Sequence, residues 1–195
     1  LRNSYICSSD NYFTENPFEA EVDDAYYAAV YADGHTDEWC MQTGADGYVN
    51  SIRIGGCNAW YMLGHVFWNE EFSERFIRIL EREYERPETA SKLWEAIYAE
   101  HLDELHLRLR KYDSELIFEF DSLDELRLFD ESYVSDTRSR IIGQIAAELH
   151  CSESALTDFN ALKSPGGNEA VGFSFRHHAD TYRYIYETNT LKREA

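Results

Sequence analysis

The sequence predicts an α/β fold in which helices flank a mixed β-sheet. Strand-like apolar segments alternate with amphipathic helical segments along the chain. One segment, Trp60–Trp68 (WYMLGHVFW), is almost entirely apolar, as expected of a strand that is buried on both faces. Hydrophobic residues make up 44% and aromatic residues 15% of the 195 residues, which is enough to build a real core.

The first strands are short and are separated by turn residues. Ser4–Ser8 (SYICS) and Ala25–Tyr31 (AYYAAVY) are predicted strands. Glu38–Gln42 and Tyr48–Ile54 flank the turn Gly44-Ala45-Asp46-Gly47, so we predict that they form a hairpin.

Two helices follow the apolar strand. Asn69 is a suitable N-cap for a helix that runs to about Arg86. Its apolar stripe consists of Phe72, Phe76, Ile79, Leu80 and Tyr84. Pro87 should end this helix and start the next, over Glu88–Leu102. The inward residues of that second helix are predicted to be Leu93, Trp94, Ile97 and Tyr98.

The rest of the chain continues the alternation. Leu105–Leu109 alternates like a half-exposed strand, and the strand Leu116–Phe120 runs directly into Asp121. Ser122 is predicted to cap a short helix, and the polar segment Glu131–Thr137 is the predicted linker. The last predicted elements are a helix at Arg138–His150, a turn with a helical piece at Ser152–Leu162, a Gly-rich turn at Lys163–Asn168, and antiparallel strands at Val171–Phe175 and Tyr182–Tyr186 with His177–His178 at their tip.

The charge of the chain argues against nucleic acid as a partner. The formal net charge is −19, from 18 basic and 37 acidic residues. Such a chain repels phosphate backbones, whose neutralisation dominates nonspecific nucleic-acid binding. The sequence also has no apolar run of the ~20 residues needed to cross a bilayer, so we expect no membrane insertion.

The cysteines indicate a reducing compartment. None of the four cysteines forms a C-x-x-C pair, and Cys7 and Cys40 lie in apolar strand-like runs. We therefore expect reduced, buried thiols in a cytoplasmic protein.

Two aspartates follow predicted strands directly. Asp10 and Asp121 each lie just past the carboxyl end of a strand, where ligands bind in open α/β sheets. Two carboxylates at such a rim can hold Mg²⁺ and leave room for phosphate oxygens. This arrangement suits phosphoryl or nucleotidyl transfer, although an aspartate after a strand is often only a turn residue.

Several short blocks resemble a known family. Tyr5–Phe13 (YICSSDNYF) is similar to the metal-binding turn of the bacterial CTP:phosphocholine cytidylyltransferases, and Thr36–Trp39 (TDEW) resembles their Glu-Trp strand. Leu63–Trp68 resembles the family's Gly-containing strand that ends in Phe-Trp. Leu93-Trp94-Glu95 and Ile117–Ser122 resemble its final helix and its second metal turn. The blocks follow the family's order over roughly residues 1–130.

The resemblance implies a fold, an activity and a set of site residues. The fold would be a truncated, Rossmann-like nucleotidyltransferase domain over residues 1–133. Asp10 and Asp121 would be the catalytic residues and would bind Mg²⁺, and the substrates would be CTP and phosphocholine. An aromatic cage with nearby carboxylates can hold a quaternary ammonium. The substrate-binding residues would be Tyr12, Glu38, Trp39, Trp68, Phe118 and Glu119, although the aromatic ones are equally suited to core packing.

The carboxy-terminal segment resembles a second family. Residues 141–186 are similar to the start of bacterial choline kinases, on the strength of Leu162-Lys163, Gly166-Gly167-Asn168, Phe173-Ser174-Phe175 and Tyr184-Ile185-Tyr186. This resemblance implies a small helix and β-hairpin segment over 138–195 that opens a kinase-like lobe. The natural protein would then be a bifunctional cytidylyltransferase and choline kinase. Glu187 departs from the basic residue expected after Tyr-Ile-Tyr.

The sequence departs from the cytidylyltransferase pattern at two points, and two other functions remain as alternatives. Ser8 stands where family members often carry an acid, and the family's Gly-rich nucleotide loop does not precede Asp10. We therefore expect a fragment that binds CTP poorly, since cations and backbone N–H groups must offset triphosphate charge. A sugar-1-phosphate nucleotidyltransferase and a non-catalytic interaction module with this fold are the alternatives.

Overall fold

The chain forms two compact units. The computed structural model describes residues 2–165 and 170–194. The first unit is Leu1–Glu119 and the second is Phe120–Ala195. The two family resemblances predict domains at 1–133 and 138–195. These domain bounds are not tested by the division into compact units and stay a prediction. None of the helices formed by the described residues has the length and hydrophobicity that a bilayer crossing requires.

The first unit is built on a mixed sheet, as predicted. Its strands are β1 (Ser4–Cys7), β2 (Asn11–Phe13), β3 (Tyr26–Thr43), β4 (Val49–Trp68), β5 (Arg108–Lys111) and β6 (Ile117–Glu119). The main sheet has the order β1-β4-β3-β5, with β5 parallel to β3 and the other pairs antiparallel. Strands β2 and β6 form a separate antiparallel ribbon.

The predicted hairpin is correct, but its strands are much longer than expected. The turn closes where Gly47 N donates to Gly44 O at 3.1 Å, and β3 and β4 continue on both sides through segments predicted as separate strands. Register shifts bend this long ribbon back on itself. Cys40 pairs with both Arg53 and Tyr61, and the next residue, Met41, likewise pairs with two residues of β4. A short stretch of β3 therefore lies between the two halves of β4.

Helix α1 (Glu70–Glu83) begins as predicted. The Asn69 side chain accepts a hydrogen bond from Phe72 N at 2.9 Å, which satisfies one of the free N–H groups of the first turn. Tyr84 was predicted on the apolar stripe, and this is wrong because the Tyr84 ring is 73% exposed. Glu83 takes the buried position instead, and its carboxylate pairs with Arg86 at 2.6 Å.

The second predicted helix is divided. Residues Pro87–Ser91 form a 3₁₀ turn, and α2 covers only Trp94–Glu100. Leu93 is the extended residue before α2 and is 59% exposed, so its predicted inward position is wrong. The alternation predicted at Leu105–Leu109 is present, since Leu105 and Leu107 are buried and His106 is exposed, but the strand begins later than predicted, at Arg108.

The core lies on both faces of the sheet, as predicted for Trp60–Trp68. On one face, Trp68 packs against Phe76 of α1 with ring centroids 4.7 Å apart, and Tyr98 of α2 joins the same cluster. On the other face, Leu63 packs with Ile117 of β6. Burial on both faces explains why this strand lacks the polar alternation of a surface strand.

The second unit combines short helices with an antiparallel sheet. Its helices are α3 (Leu123–Phe129), α4 (Ser132–Ser135) and α5 (Arg140–Glu148), and its strands are β7 (Leu156–Lys163), β8 (Ala170–His177), β9 (Asp180–Ile185) and β10 (Thr190–Arg193). The sheet order is β10-β9-β8-β7. The predicted capping by Ser122 is confirmed as a capping box with Glu125.

Other predictions for this unit have mixed outcomes. The β8–β9 hairpin and its tip at His177–His178 are confirmed. Ser152–Leu162 was predicted as a turn with a helical piece; a 3₁₀ turn does form at Glu153–Ala155, but the prediction is wrong from Leu156 onwards, where β7 begins. The predicted linker contains α4 and the buried Thr137. Gly166, Gly167 and Asn168 of the predicted Gly-rich turn lie outside the described residues.

The cysteines are all free thiols, but they are not uniformly buried. Cys40 is buried, whereas Cys7 and Cys57 are exposed and Cys151 is intermediate. The expectation of buried thiols is therefore wrong for Cys7 and Cys57. Cys7 ends β1, and Cys57 lies where β4 bends, so neither side chain is enclosed by the sheet.

Candidate functional site

A cleft of about 420 Å³ opens on the first unit. It is formed by the end of β1, the middle of β3 and β4, the start of α2 and the end of β6. Its lining residues combine aromatic, apolar and acidic side chains. They are Ile6, Cys7, Ser8, Tyr27, Glu38, Trp39, Met62, Gly64, Val66, Leu93, Trp94, Glu95 and Glu119. We call this the cleft.

One wall of the cleft is the predicted Glu38-Trp39 pair. The register of β3 against β4 shifts between Thr36 and Trp39, so the strand is irregular where the two residues lie. Glu38 N donates to Thr36 Oγ1 at 3.2 Å, which fixes the backbone locally. Trp39 is partly buried against the core, and Glu38 is exposed. The wall therefore presents an indole and a solvent-facing carboxylate side by side.

A second group of lining residues comes from the first turn of α2 and from β3. The rings of Trp94 and Tyr27 stack with centroids 5.6 Å apart and planes 13° apart. Tyr27 Oη donates to Glu95 Oε1 at 3.4 Å, which orients that carboxylate. Burial raises the pKa of Glu95, and the hydrogen bonds from its own backbone and from Tyr27 oppose this effect. Burial, with a smaller contribution from the Glu95 charge, also raises the pKa of Tyr27.

Gly64 lies in the cleft lining and permits the close approach of β4 and β6. Its φ is +100°, which L side chains rarely adopt. A Cβ at this position would lie 2.9 Å from Ile117 Cδ1. The Gly-containing strand noted in the sequence therefore has a local physical reason.

The structure brings three of the six predicted substrate-binding residues to the cleft. Glu38, Trp39 and Glu119 line it. Trp68 does not, because it is only 4% exposed and packs among core rings. Tyr12 and Phe118 are register partners in the β2–β6 ribbon, and neither belongs to the described lining residues.

Three aromatic or acidic residues of the lining were not predicted as site residues. Tyr27, Trp94 and Glu95 meet only after α2 packs against β3. The block Leu93-Trp94-Glu95 was noticeable in the sequence as a family-like segment. Its aromatic-acid pair mirrors Glu38-Trp39, and that mirrored pattern is the signal that could have identified it.

The two predicted metal-binding aspartates lie next to paired strands in the chain. Asp10 directly precedes β2, and Asp121 follows β6 by two residues and precedes the N-cap of α3. Asp10 belongs to the first unit and Asp121 to the second. Among residues 2–165 and 170–194, no group of three or more His, Cys, Asp or Glu side chains is arranged to hold a metal ion.

The chemistry of the cleft favours a positively charged group. Three carboxylates and three aromatic rings line it, and its described lining contains no Lys or Arg side chain. Aromatic faces attract cations electrostatically, and carboxylates add charge complementarity. Asn and Gln, which a sugar-binding pocket would use as hydrogen-bond partners, do not occur among the described lining residues.

The chain is similar to known cytidylyltransferases over about two thirds of its length. No family model matches the chain. The choline-phosphate cytidylyltransferase of Streptococcus pneumoniae is 26% identical over 131 residues, which are 67% of this chain and 57% of that protein. The 2-aminoethylphosphonate cytidylyltransferase of Lancefieldella rimae is 26% identical over 137 residues, covering 70% of this chain and 56% of that protein. The chain thus spans little more than half the length of these relatives.

A solved structure supports the fold. The CTP:phosphocholine cytidylyltransferase of Streptococcus pneumoniae aligns with a TM-score of 0.63 and 26% identity, over 68% of this chain and 58% of that one. The mixed sheet with flanking helices matches the predicted Rossmann-like fold. In sequence and in fold, about two thirds of this chain is therefore similar to part of the choline-phosphate cytidylyltransferases.

Proposed function

We propose that this chain is part of a cytidylyltransferase that transfers CMP from CTP to phosphocholine or to a related aminoalkyl phosphonate. The cleft would hold the cationic end of the acceptor. The observation that carries the proposal is the meeting of Glu38 and Trp39 with Trp94 and Glu95 in one cleft. The similarity to relatives named for these two acceptors agrees with it.

The reaction assigns distinct tasks to the two ends of the acceptor. A phosphate or phosphonate oxygen of the acceptor attacks the α-phosphorus of CTP and forms a new P–O bond. The bond to the β-phosphate breaks, and pyrophosphate leaves. Trp39 and Trp94 would hold the ammonium between ring faces, and Glu38 and Glu95 would balance its charge. Fixing that end orients the attacking oxygen, which is the main task of a protein in such transfers.

A divalent metal belongs to the same proposal. Exposed carboxylates are ligands that Mg²⁺ accepts, and one or two of them together with substrate phosphates are a common set. We propose that Asp10 and Asp121 hold Mg²⁺, which would neutralise charge on the triphosphate. Support comes from their chain positions, since Asp10 precedes β2, Asp121 follows β6, and these two strands pair with each other.

A second activity in the natural protein is proposed from sequence alone. The resemblance of residues 141–186 to the start of choline kinases would make the protein bifunctional. The β8–β9 hairpin has the expected antiparallel pairing. A hairpin occurs in many folds, so the test of this part is ATP-dependent phosphorylation of choline by the full-length protein.

Acceptor binding by the cleft tests the main proposal on this chain directly. Trp39 and Trp94 line the cleft, so tryptophan fluorescence should report titration with phosphocholine or 2-aminoethylphosphonate. We expect saturable binding of these acceptors and none of glucose 1-phosphate. The Glu38→Gln variant should bind phosphocholine about tenfold more weakly, since about 1.4 kcal/mol of charge interaction is lost.

The neighbouring acid supplies a matched control. Asp37 is 93% exposed and does not belong to the described cleft lining, so Asp37→Asn removes the same charge without changing the cleft. We expect its affinity for phosphocholine to match that of the unmodified chain. Preferential binding of the sugar phosphate would favour the sugar-1-phosphate alternative. Absence of Mg²⁺-dependent pyrophosphate release by the full-length protein would favour a non-catalytic module.

A further inference from the structure

Tyr27 of β3 contacts two of the residues that α2 contributes to the cleft. Its ring stacks on the Trp94 indole with a centroid distance of 5.6 Å, and its hydroxyl donates to Glu95 Oε1 at 3.4 Å. The Tyr27 side chain is itself only 8% exposed. A ligand in the cleft would therefore experience Tyr27 mainly through Trp94 and Glu95.

The Trp94 indole is held by other rings on several sides. Tyr27 lies nearly parallel to it, with 13° between the two planes. Trp68 and Phe76 meet it edge-on, with centroid distances of 5.1 Å and 6.3 Å. All three neighbours are buried and belong to the core cluster. The indole thus has little freedom to turn, and the part of it that stays accessible lines the cleft.

The hydroxyl of Tyr27 acts on a carboxylate that has limited access to water. Burial raises the pKa of Glu95, and the hydrogen bond from Tyr27 opposes this effect. A hydrogen bond to a carboxylate favours its ionised form, so Tyr27 extends the charged range of Glu95 toward lower pH. The cleft also contains the titratable groups of Cys7, Glu38 and Glu119. The variants described below leave these three groups unchanged.

We propose that Tyr27 is a positioning residue of the acceptor site, which acts on the cationic end of the acceptor through Trp94 and Glu95. This inference rests on the proposed function and deepens it. A cation gains from a ring face and a carboxylate only where the two are placed together. Because Tyr27 holds both groups before any ligand arrives, less conformational freedom is lost on binding.

The pH dependence of choline binding tests the role of the hydroxyl. Choline has no group that titrates between about pH 8 and about pH 5, and the tryptophans of the cleft report its binding by fluorescence. Tyr27→Phe keeps the stacked ring and removes the hydroxyl. At about pH 8 its affinity should lie within about twofold of that of the unmodified chain. As the pH falls, its affinity should fall first, with a midpoint about half a pH unit higher, since the ionised Glu95 has lost a donor.

Two further variants separate the ring from the hydroxyl and from general packing. Tyr27→Leu removes the stack as well, and it should weaken choline binding about tenfold over the whole pH range. Tyr98 also contacts the Trp94 indole, at 6.3 Å, and does not belong to the described lining. Tyr98→Phe removes a buried hydroxyl from the same cluster, so it should leave the pH midpoint unchanged.

The possible results separate the role of Tyr27 from the proposed function. If the unmodified chain binds choline and Tyr27→Phe has the same pH midpoint, the role of Tyr27 is refuted and the proposed function stands. An equal midpoint shift in Tyr98→Phe would also refute it, because general packing would then be the cause. If the unmodified chain binds no choline at any pH, the cleft is not the acceptor site, and the role of Tyr27 falls with it.

Discussion

Gly64 combines two constraints on a single residue. It has a positive φ, and its missing Cβ leaves room for Ile117. Gly34 has the same φ of +100° but has no atom within 4 Å of the position of a Cβ. The pair therefore separates backbone strain from steric overlap.

We expect Gly64→Ala to lower the free energy of unfolding by about 3 kcal/mol and Gly34→Ala by about 1 kcal/mol. The larger effect at Gly64 arises because the backbone strain and the overlap with Ile117 add. Urea denaturation of both variants measures the difference. Equal losses would mean that β6 moves away from β4 at no energetic expense.

His65 is a buried base that the fold keeps neutral. Its Nε2 lies 2.9 Å from Tyr26 Oη and 3.2 Å from Tyr112 Oη, and the side chain is fully buried. Burial, with a smaller effect of the Arg110 charge, lowers its pKa from 6.5 to about 4. At pH values between about 4 and 6.5, His65 therefore binds a proton in the unfolded chain but not in the folded chain.

The folded state is therefore destabilised as the pH falls below 6.5, and the effect is complete below about pH 4. Between about pH 7.5 and pH 5 we expect this residue to remove about 2 kcal/mol from the free energy of unfolding. Urea denaturation at both pH values measures it. His65→Gln keeps a hydrogen-bonding side chain and does not titrate, so its loss over the same range should be smaller by that amount. Identical pH dependence of the two proteins would contradict the assignment.

At the scale of elements, Arg127 joins α3 to the strand and turns around it. Its guanidinium donates to Leu156 O at 2.6 Å, to Glu153 O at 2.8 Å and to Tyr133 O at 3.2 Å. The side chain is 8% exposed, so these carbonyl groups have little access to water. The planar guanidinium of an arginine can donate to all three carbonyl oxygens. The ammonium group of a lysine cannot reproduce this arrangement of donors.

Arg127→Lys should therefore lower the free energy of unfolding of the second unit by about 2–3 kcal/mol, since it leaves buried carbonyl groups without a donor. Circular dichroism during denaturation measures the loss. Arg138→Lys is the matched control, because Arg138 is exposed and contacts Tyr133 Oη and Ser132 Oγ at the surface. A loss at Arg138 as large as that at Arg127 would show that burial is not the reason.

Local rules explain which elements the sequence predicted well. The turn at Gly44–Gly47, the N-cap at Asn69 and the capping box at Ser122 depend on neighbouring residues only, and all three are confirmed. The exposure of Leu93 depends on how α2 packs. Sequence periodicity does not contain that information.

In the cleft, too, residues in a local motif were predicted correctly, whereas residues placed by tertiary packing were not. Glu38 and Trp39 were predicted from a motif and do line the cleft. Trp68 and Trp94 both lie in apolar segments, and only packing decides that Trp94 reaches the cleft while Trp68 is enclosed by the core. Glu95 was missed because its role depends on Tyr27, which is 68 residues away in the chain.

At the scale of the whole molecule, the excess of acidic groups should affect stability. The net charge of −19 creates repulsion among surface carboxylates, and salt screens it. We expect the melting temperature to rise by about 3 °C or more between about 20 mM and 300 mM NaCl. Differential scanning fluorimetry measures the shift. A fall in melting temperature would mean that the surface ion pairs, such as Arg82–Glu104, outweigh the repulsion.

The folded-back ribbon has a consequence for the ligand-free state of the cleft. Cys40 and Met41 have partners on both edges, so the backbone next to Trp39 is held by the chain's own strands before any ligand arrives. Amide protons there should exchange with deuterium only when the sheet opens as a whole. An acceptor would then meet an indole that is already in place, and little conformational freedom would be lost when it docks.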